Sequence, residues 1–310
     1  RCSSCGDKGV FIMSVFNNNL LLGAGGQGGG AAFDTTLIGN SVWVDGAADF
    51  LSKTPSAGTT TRWIVSCWVQ RTELGNSANA HTIFSAGSST ANLTWFRFDD
   101  ADNLDFAVFQ GSTTARKTSS AKYRDIGWYH LCVSFDSGSG ITASDRIKLF
   151  VNGIEVTDLS ANTDTPSGET TAFNANVVHQ IGRYTFAGSQ LVHAYLTQFT
   201  MLENKSFQNS DLSITDLLDS FTFGTNGSQF VPKSDADIAA LASTAGGNSF
   251  CLDFANSSDL GNDISSNNND YSPNSMAAAN QSTNTPSLNY AVMDILKNDG
   301  SNTSTMVFSE

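Results

Sequence analysis

The sequence predicts an all-β protein built as a two-sheet antiparallel jelly-roll sandwich, and three observations carry that expectation. Of 310 residues, 40% are hydrophobic and only 15% charged, with 21 Phe and 27 Gly, a balance that favours strands and turns over helices. Period-two alternation recurs between turn signals in "SVWVDG", "RWIVSCWVQR", "HTIFSAG", "TWFRFDDADNLDFAVFQ", "WYHLCVSFD", "RIKLFVNGIEV", "VVHQIG" and "QLVHAYLTQFTML". Asn152-Gly153 sits between two such runs and has the chemistry of a two-residue type I′ hairpin turn. The length allows one to two domains.

In chain order, residues 1–39 read as a flexible lead-in. "GAGGQGGG", residues 23–30, offers no side chains to bury and loses the most backbone entropy on ordering. Met13 opens a stretch more like a natural amino terminus than the dozen residues before it. "CSSC" has redox or zinc spacing, but neither a second ligand pair nor a strand and helix surrounds it. Five cysteines, an odd number, three of them in apolar strand-like settings, argue against a disulfide framework.

Residues 40–245 read as the sandwich. Within 128–135, Tyr129, Leu131, Val133 and Phe135 share one face, expected to be core, and Trp128, His130, Cys132 and Ser134 the other. Across the Asn-Gly turn Val151 should face Ile154 and Leu149 should face Val156, burying Leu149 and Val151 and leaving Phe150 against Glu155. Phe96 and Phe98 precede an acidic turn, and Leu104, Phe106 and Val108 follow it. Two short helices are expected after the sandwich: Ser213 with Asp216, and Ser234 with Asp237, each place a hydroxyl and an acid as a capping box would. From about 246 the texture turns Asn-rich, and residues 246–310 read either as an extension wrapping the sandwich or as the start of a second, incomplete module.

A formal charge of −13 with 16 dispersed basic residues disfavours nucleic acid and anionic membrane surfaces. No apolar run is long enough to span a bilayer, and no basic segment leads into a continuous apolar signal core. His81, His130, His179 and His193 stand singly in strand contexts, as packed or hydrogen-bonded histidines do. No nucleophile elbow or phosphate loop is present. No cofactor is required, and the one metal candidate is calcium: Asp99, Asp100 and Asp102 cluster hard oxygens in a turn, and "DISSNNND", residues 263–270, spaces oxygens at alternate positions. Both lack the bidentate Glu and central Gly of an EF-hand, and Asp and Asn also favour turns for local reasons. Ligand candidates come from loops at a sandwich edge. Arg183, Tyr184 and Phe186 in "GRYTFAG" and Asp145 in "SGSGITASD" could stack on a sugar ring and hold its hydroxyls, or could simply cap a core.

Residues 40–203 resemble the laminin-G-like branch of the concanavalin A-type lectin and glucanase superfamily. "SVWVDGAADFLS" resembles its opening strand pair, "RWIVSCWVQR" its Trp-containing strand, "WYHLCVSFD" with "RIKLFVNGIEV" its central strand and hairpin, and "LVHAYLTQFTMLENKSF" its closing strand. Hydrolysis in that superfamily requires two or three carboxylates on one strand face. No such strand occurs, so the resemblance implies a non-enzymatic protein. "FCLDFANSSDLGNDISSNNNDYSPNSM" followed by "NTPSLNYAVMD", and "MSVFNNNLLLGAGG", are similar to segments of phage tail-fibre-like virion proteins, although "SSNNND" stands where a Ser-Gly-Asn-Gly run is common. That similarity implies a virion-associated structural protein binding a glycan or host-surface receptor beside other virion proteins, as a homo-oligomer with a trimer among the options. The alternatives are a carbohydrate-binding module of a secreted polysaccharide-degrading enzyme and a divergent glycoside hydrolase.

Overall fold

The computed structural model describes residues 36–75, 79–186, 190–222 and 228–288, together with 292–293 and 308–309. The readings of "CSSC", Met13, "GAGGQGGG" and most of the last twenty residues lie outside the described residues. In chain order the elements are β1 (Ser41–Asp45), β2 (Phe50–Lys53), β3 (Arg62–Arg71), β4 (His81–Ser89), β5 (Asn92–Phe98), β6 (Asn103–Gln110), β7 (Thr113–Lys122), β8 (Trp128–Asp136), β9 (Ile147–Val151), β10 (Ile154–Glu155), β11 (Leu159–Thr163), β12 (Val178–Ile181), β13 (His193–Glu203), α1 (Ile214–Leu217), β14 (Leu218–Thr222), β15 (Ser228–Pro232), α2 (Asp235–Thr244), β16 (Phe250–Leu252), β17 (Ser272–Asn274) and β18 (Gln281–Ser282).

Two eight-stranded sheets face each other. The first runs β10-β9-β8-β3-β13-β1-β18, with β16 also on β13, and the second runs β11-β7-β6-β5-β4-β12-β2-β17. Within both, every strand pair is antiparallel. Between them lies an aromatic core in which Trp63 stacks on Phe135 with ring centroids 5.3 Å apart and meets Phe106 and Phe173 edge-on. The expected hairpin forms in the expected register, with Ile154 opposite Val151 and Glu155 opposite Phe150. Asn152 and Gly153 take φ of 49° and 78°. Any Cβ at Gly153 would also strike the Phe230 ring, so the turn needs glycine for conformation and for space. Leu131, Val133 and Leu149 are fully buried and Tyr129 nearly so, but Val151 is only partly buried because β10 leaves the sheet edge open beside it.

Strand β8 is buried along its whole length, on both faces. On the side away from the core, α2 presses Ile238, Ala239 and Ala242 onto Ile64, Cys132, Phe150 and Cys251. Beside it the β14–β15 hairpin and the chain entering at residue 36 place Leu218, Phe230 and Ile38 on Trp68 and Trp128. Helix α2 is capped by Ser234, whose Oγ accepts from the Asp237 amide. At α1 the Ser213 amide donates to Asp216 at 2.7 Å, but the helix stops after one turn and continues directly as β14. Its brevity follows from Leu217 and Leu218, which are drawn into the two apolar clusters covering the sheet.

Residues 246–288 join both sheets: β16 pairs with β13, β17 with β2 and β18 with β1. Phe250, Leu252, Phe254, Leu260 and Tyr271 are at most 2% exposed and belong to the main core. The Asn-rich loop turns around Asp263, whose carboxylate accepts from the amides of Cys251, Ser265 and Asn269 at 2.8 to 2.9 Å. Cys67, Cys132 and Cys251 are buried free thiols, their ionisation pushed far up by desolvation.

Candidate functional site

Among the described residues the loop after β12 lies on the second sheet's outer face, where Leu93, Trp95, Asp105 and Ala107 are at most 7% exposed, and side-chain alternation fixes what the face presents. Strand β5 turns Phe96 and Phe98 into the core and Leu93, Trp95 and Arg97 outward; β6 buries Leu104, Phe106 and Val108 and turns out Asp105, Ala107 and Phe109. Across the sheet, Ser85, Trp95, Ala107 and Arg116 form one row, and Thr82, Arg97, Asp105 and Thr118 the next. Leu93, Trp95 and Ala107 make an apolar floor with Phe109 and Tyr184 at its margin.

Asp105 anchors the polar part. It is fully buried, and its two oxygens accept from Arg97 Nε at 3.0 Å, Arg116 Nε at 2.8 Å, Trp95 Nε1 at 2.8 Å and Thr118 Oγ1 at 2.7 Å. Burial alone would raise its pKa, but the two guanidiniums and these hydrogen bonds hold it below the ordinary Asp value. It is an anion at neutral pH, already satisfied. Arg97 lies over the Trp95 ring at 4.8 Å and gives Nη1 to Gln190 at 3.1 Å.

The loop after β12 is pinned onto this face by Ser85, whose hydroxyl donates to the Arg183 carbonyl at 2.8 Å and accepts from the Thr185 amide at 2.9 Å. Three of the four expected ligand residues are thereby brought to one place. Tyr184 sits half-buried with its ring 6.2 Å from Trp95, Arg183 lies over Phe50 at 4.7 Å, and Phe186 is 39% exposed. Phe186 reaches the sheet because β4 has glycine below it: a Cβ on Gly87 would come within 2.9 Å of that ring. Burial raises the Tyr184 phenol, with Arg97 opposing the shift. Asp145 is elsewhere, exposed in the β8–β9 connection. It influences Lys117, whose neighbour Arg116 points to the opposite side of β7.

Asp99, Asp100 and Asp102 are not gathered around a common point. Asp99 accepts from the amides of Ala101 and Asn103, closing its own turn, and Asp100 is exposed. Asp102 is buried between Arg71 at 2.8 Å and Arg124 at 2.7 Å, with the Gly75 amide at 2.6 Å. Its lone pairs are thus spent on guanidiniums and an amide. Asp263 is likewise filled, by the amides of Cys251, Ser265 and Asn269 and the Ser265 hydroxyl. Among the described residues no group of three or more His, Cys, Asp or Glu is placed to hold a metal ion.

Treating each histidine as solitary missed one grouping. His81 and His193 approach to 5.8 Å between rings, with Glu73 3.1 Å from His193 Nδ1 and Arg71 Nη2 3.3 Å from His81 Nδ1. Burial, with Arg71 and His193 adding repulsion, lowers His81 to about 4. Buried His130 falls to about 3 by desolvation, so at neutral pH its ring is uncharged beside Ser66 Oγ. Sequence reasoning also missed Trp95, Arg97, Asp105 and Arg116 as one assembly, although their alternation with Phe96, Phe98 and Phe106 put all but Arg116 on one face.

A cleft of about 470 Å³ lies at one end of the sandwich, away from this face, lined by Thr59, Arg62, Asp136, Ser137 and Asn209 among others. Asp136 within it is occupied by Ser206, Asn209 and the Gly138 amide. Among the described residues no helix is long and apolar enough to cross a membrane.

The family profile for the laminin G type, described as concanavalin A-like lectin/glucanases superfamily, matches residues 45–206. Among solved structures the chain is similar to a heptameric pentraxin from Limulus polyphemus, at 14% identity over 53% of this chain and 76% of that one, TM-score 0.39. It is similar to domain 4 of an extracellular arabinanase from Geobacillus stearothermophilus, at 18% identity, with 61% and 81% covered, TM-score 0.38. It is also similar to domains LG4-5 of the mouse laminin α1 chain, at 13% identity, with 54% of this chain but only 42% of that one covered, TM-score 0.38. No curated protein sequence matches.

Proposed function

We propose that this chain, which belongs to the concanavalin A-like lectin/glucanases superfamily, is a non-catalytic glycan-binding domain that reads sugars on the outer face of its second sheet. The observation that carries the reading is the convergence of the half-buried Tyr184 and Phe109 and the exposed Phe186 around the buried Trp95, beside fixed polar groups on the same sheet face. Aromatic rings supply stacking area that water does not match, and fixed N–H donors orient hydroxyls. The carboxylates of this face do not form an acid and nucleophile flanking a bond: Asp105 is saturated by four donors, and Glu169 at the rim is bound to Gln110 and Thr114.

The unit assigned to this role runs from residue 36 to 288, supported by the strands that 246–288 adds to both sheets. We place it on a virion surface as part of a symmetric fibre-like homo-oligomer, on the likeness of "MSVFNNNLLLGAGG" and of segments within 250–294 to virion-associated proteins. Symmetry would then turn one weak sugar site into an avid surface through effective concentration. A glycan array and a host-cell adsorption assay, each on monomeric and artificially trimerised protein, test the reading. Selective binding strengthened by trimerisation and lost in Tyr184→Ala supports it; no gain on any surface would leave the sandwich a structural spacer.

A further inference from the structure

The outer face of the second sheet is cationic in a protein that is otherwise strongly acidic. Of 16 Lys and Arg in a chain of net charge −13, three arginines, Arg97, Arg116 and Arg183, stand on this face. Among the described residues the carboxylate opposing them in its middle is Asp105. Glu169, at the rim, is engaged by Gln110 Nε2 at 2.9 Å and Thr114 Oγ1 at 2.8 Å.

How the arginines are held matters more than their number. Arg97 and Arg116 bind the two different oxygens of Asp105, each through Nε. A guanidinium tied down by Nε keeps its planar fork in one orientation and presents its terminal nitrogens away from the anchor. Arg97 uses one of these on Gln190. Arg116 spends only Nε on acceptors among the described residues, and its side chain is 32% exposed, so its two terminal nitrogens face water. Arg183 adds a cation over Phe50, and its buried Nε finds no partner among the described residues. Gln180 Oε1 and Thr82 Oγ1 are also buried with no hydrogen-bond partner among the described residues. The result is a pair of guanidiniums whose orientation and charge are fixed before any ligand arrives, beside an aromatic floor. Such pre-ordering lowers the entropy cost of binding and matches the bidentate geometry of a carboxylate or sulfate.

We infer that this face selects acidic sugars, with a uronate carboxylate or a sulfate ester of the glycan meeting the terminal nitrogens of Arg116 and Arg97 while the sugar ring lies towards Phe109, Tyr184 and Phe186. The inference rests on the glycan-binding reading but fails separately from it. Neutral sugars would find the same aromatic surface and leave the forks unpaired.

The test uses the full chain in isothermal titration or surface-immobilised binding against two matched pairs of probes: polygalacturonate with its carboxyl-reduced form, and dextran sulfate with dextran. Binding to at least one acidic member at least tenfold tighter than to its neutral partner, weakening as NaCl is raised from 50 to 300 mM, is expected. The two pairs distinguish a carboxylate from a sulfate as the group read. Arg116→Gln should remove at least tenfold of the acidic binding and Arg116→Lys less, because lysine keeps the charge but not the fork. Lys205→Gln, on the turn after β13, should change nothing; an equal loss there would show that net charge rather than this site is responsible and would overturn the inference. Equal binding to acidic and neutral partners would overturn it while leaving the glycan-binding reading intact, and binding to none of the four would count against both. Should Arg116→Gln fail to fold, the acid-to-neutral ratio and its salt dependence in the unaltered protein still decide.

Discussion

The two sheets bury the same kind of inner face but differ in what lies on their outer faces. Outside the first sheet, a ten-residue helix, a hairpin and the chain leading into β1 build a second apolar layer, so β8 has no exposed position. Outside the second, β7 keeps half-buried and exposed residues along its length, and the polar positions of β5 and β6 gather into the Asp105 network. One fold can therefore lay an apolar layer over one face and gather a polar network on the other. The contrast teaches where a substitution should cost folding and where it should cost only binding.

The largest effect expected is from ending the chain at residue 245. That removes Phe250, Leu252, Phe254, Leu260 and Tyr271 from the core and exposes the β13, β2 and β1 edges. Cooperative unfolding in urea should be lost; a retained sharp transition would show that 246–288 is an ornament. Next, Leu131→Ala, fully buried between the sheets, should lower stability by about 2 to 5 kcal/mol, read as a fall in the urea midpoint at constant slope. Ile238→Ala sharpens the comparison, since it lies in the outer layer of the first sheet at 2% exposure. A loss of about 2 kcal/mol is expected if that layer is true core, against less than about 0.5 kcal/mol for a surface ornament.

A pH effect follows on the covered side. Asp235, at the start of α2 with Gln198 donating to it, has its pKa raised from 3.8 to about 7, chiefly by burial and against the hydrogen bond from Gln198, with Asp253 adding repulsion. The folded state then holds a proton that the unfolded chain releases, so this contribution is complete below about pH 4 and is lost as pH rises through 7. Asp235→Asn should therefore gain stability relative to the unaltered protein between pH 5 and pH 8, by about 1 to 2 kcal/mol after allowing for residual water contact. A difference that stays flat across those pH values would remove Asp235 from the account. The smallest expected effect is on the open side: Phe186→Ser should shift stability by no more than about 0.5 kcal/mol while weakening glycan binding. A large loss of stability there would make the loop part of the core and erase the contrast.

Local chemistry in the sequence determined the strand positions, the Asn152-Gly153 hairpin and its register, because side-chain alternation and positive φ are properties of neighbouring residues. It also determined which of Trp95, Arg97 and Asp105 share a face with one another, and the Ser234 cap of α2. Arg183, Tyr184 and Phe186 were legible as a ligand loop by residue type, but not the floor they meet. Their meeting with Trp95 depends on Ser85 holding the loop and on Gly87 leaving room for Phe186, contacts across roughly 100 positions of chain. Likewise the pairing of His81 with His193, the capture of Asp102 by Arg71 and Arg124, and the second covering of β8 are long-range matters. Alternation tells which residues share a side of a strand; only the order of strands in the sheet, and what the rest of the chain lays over them, decides whether that side is core, lining or open to a partner.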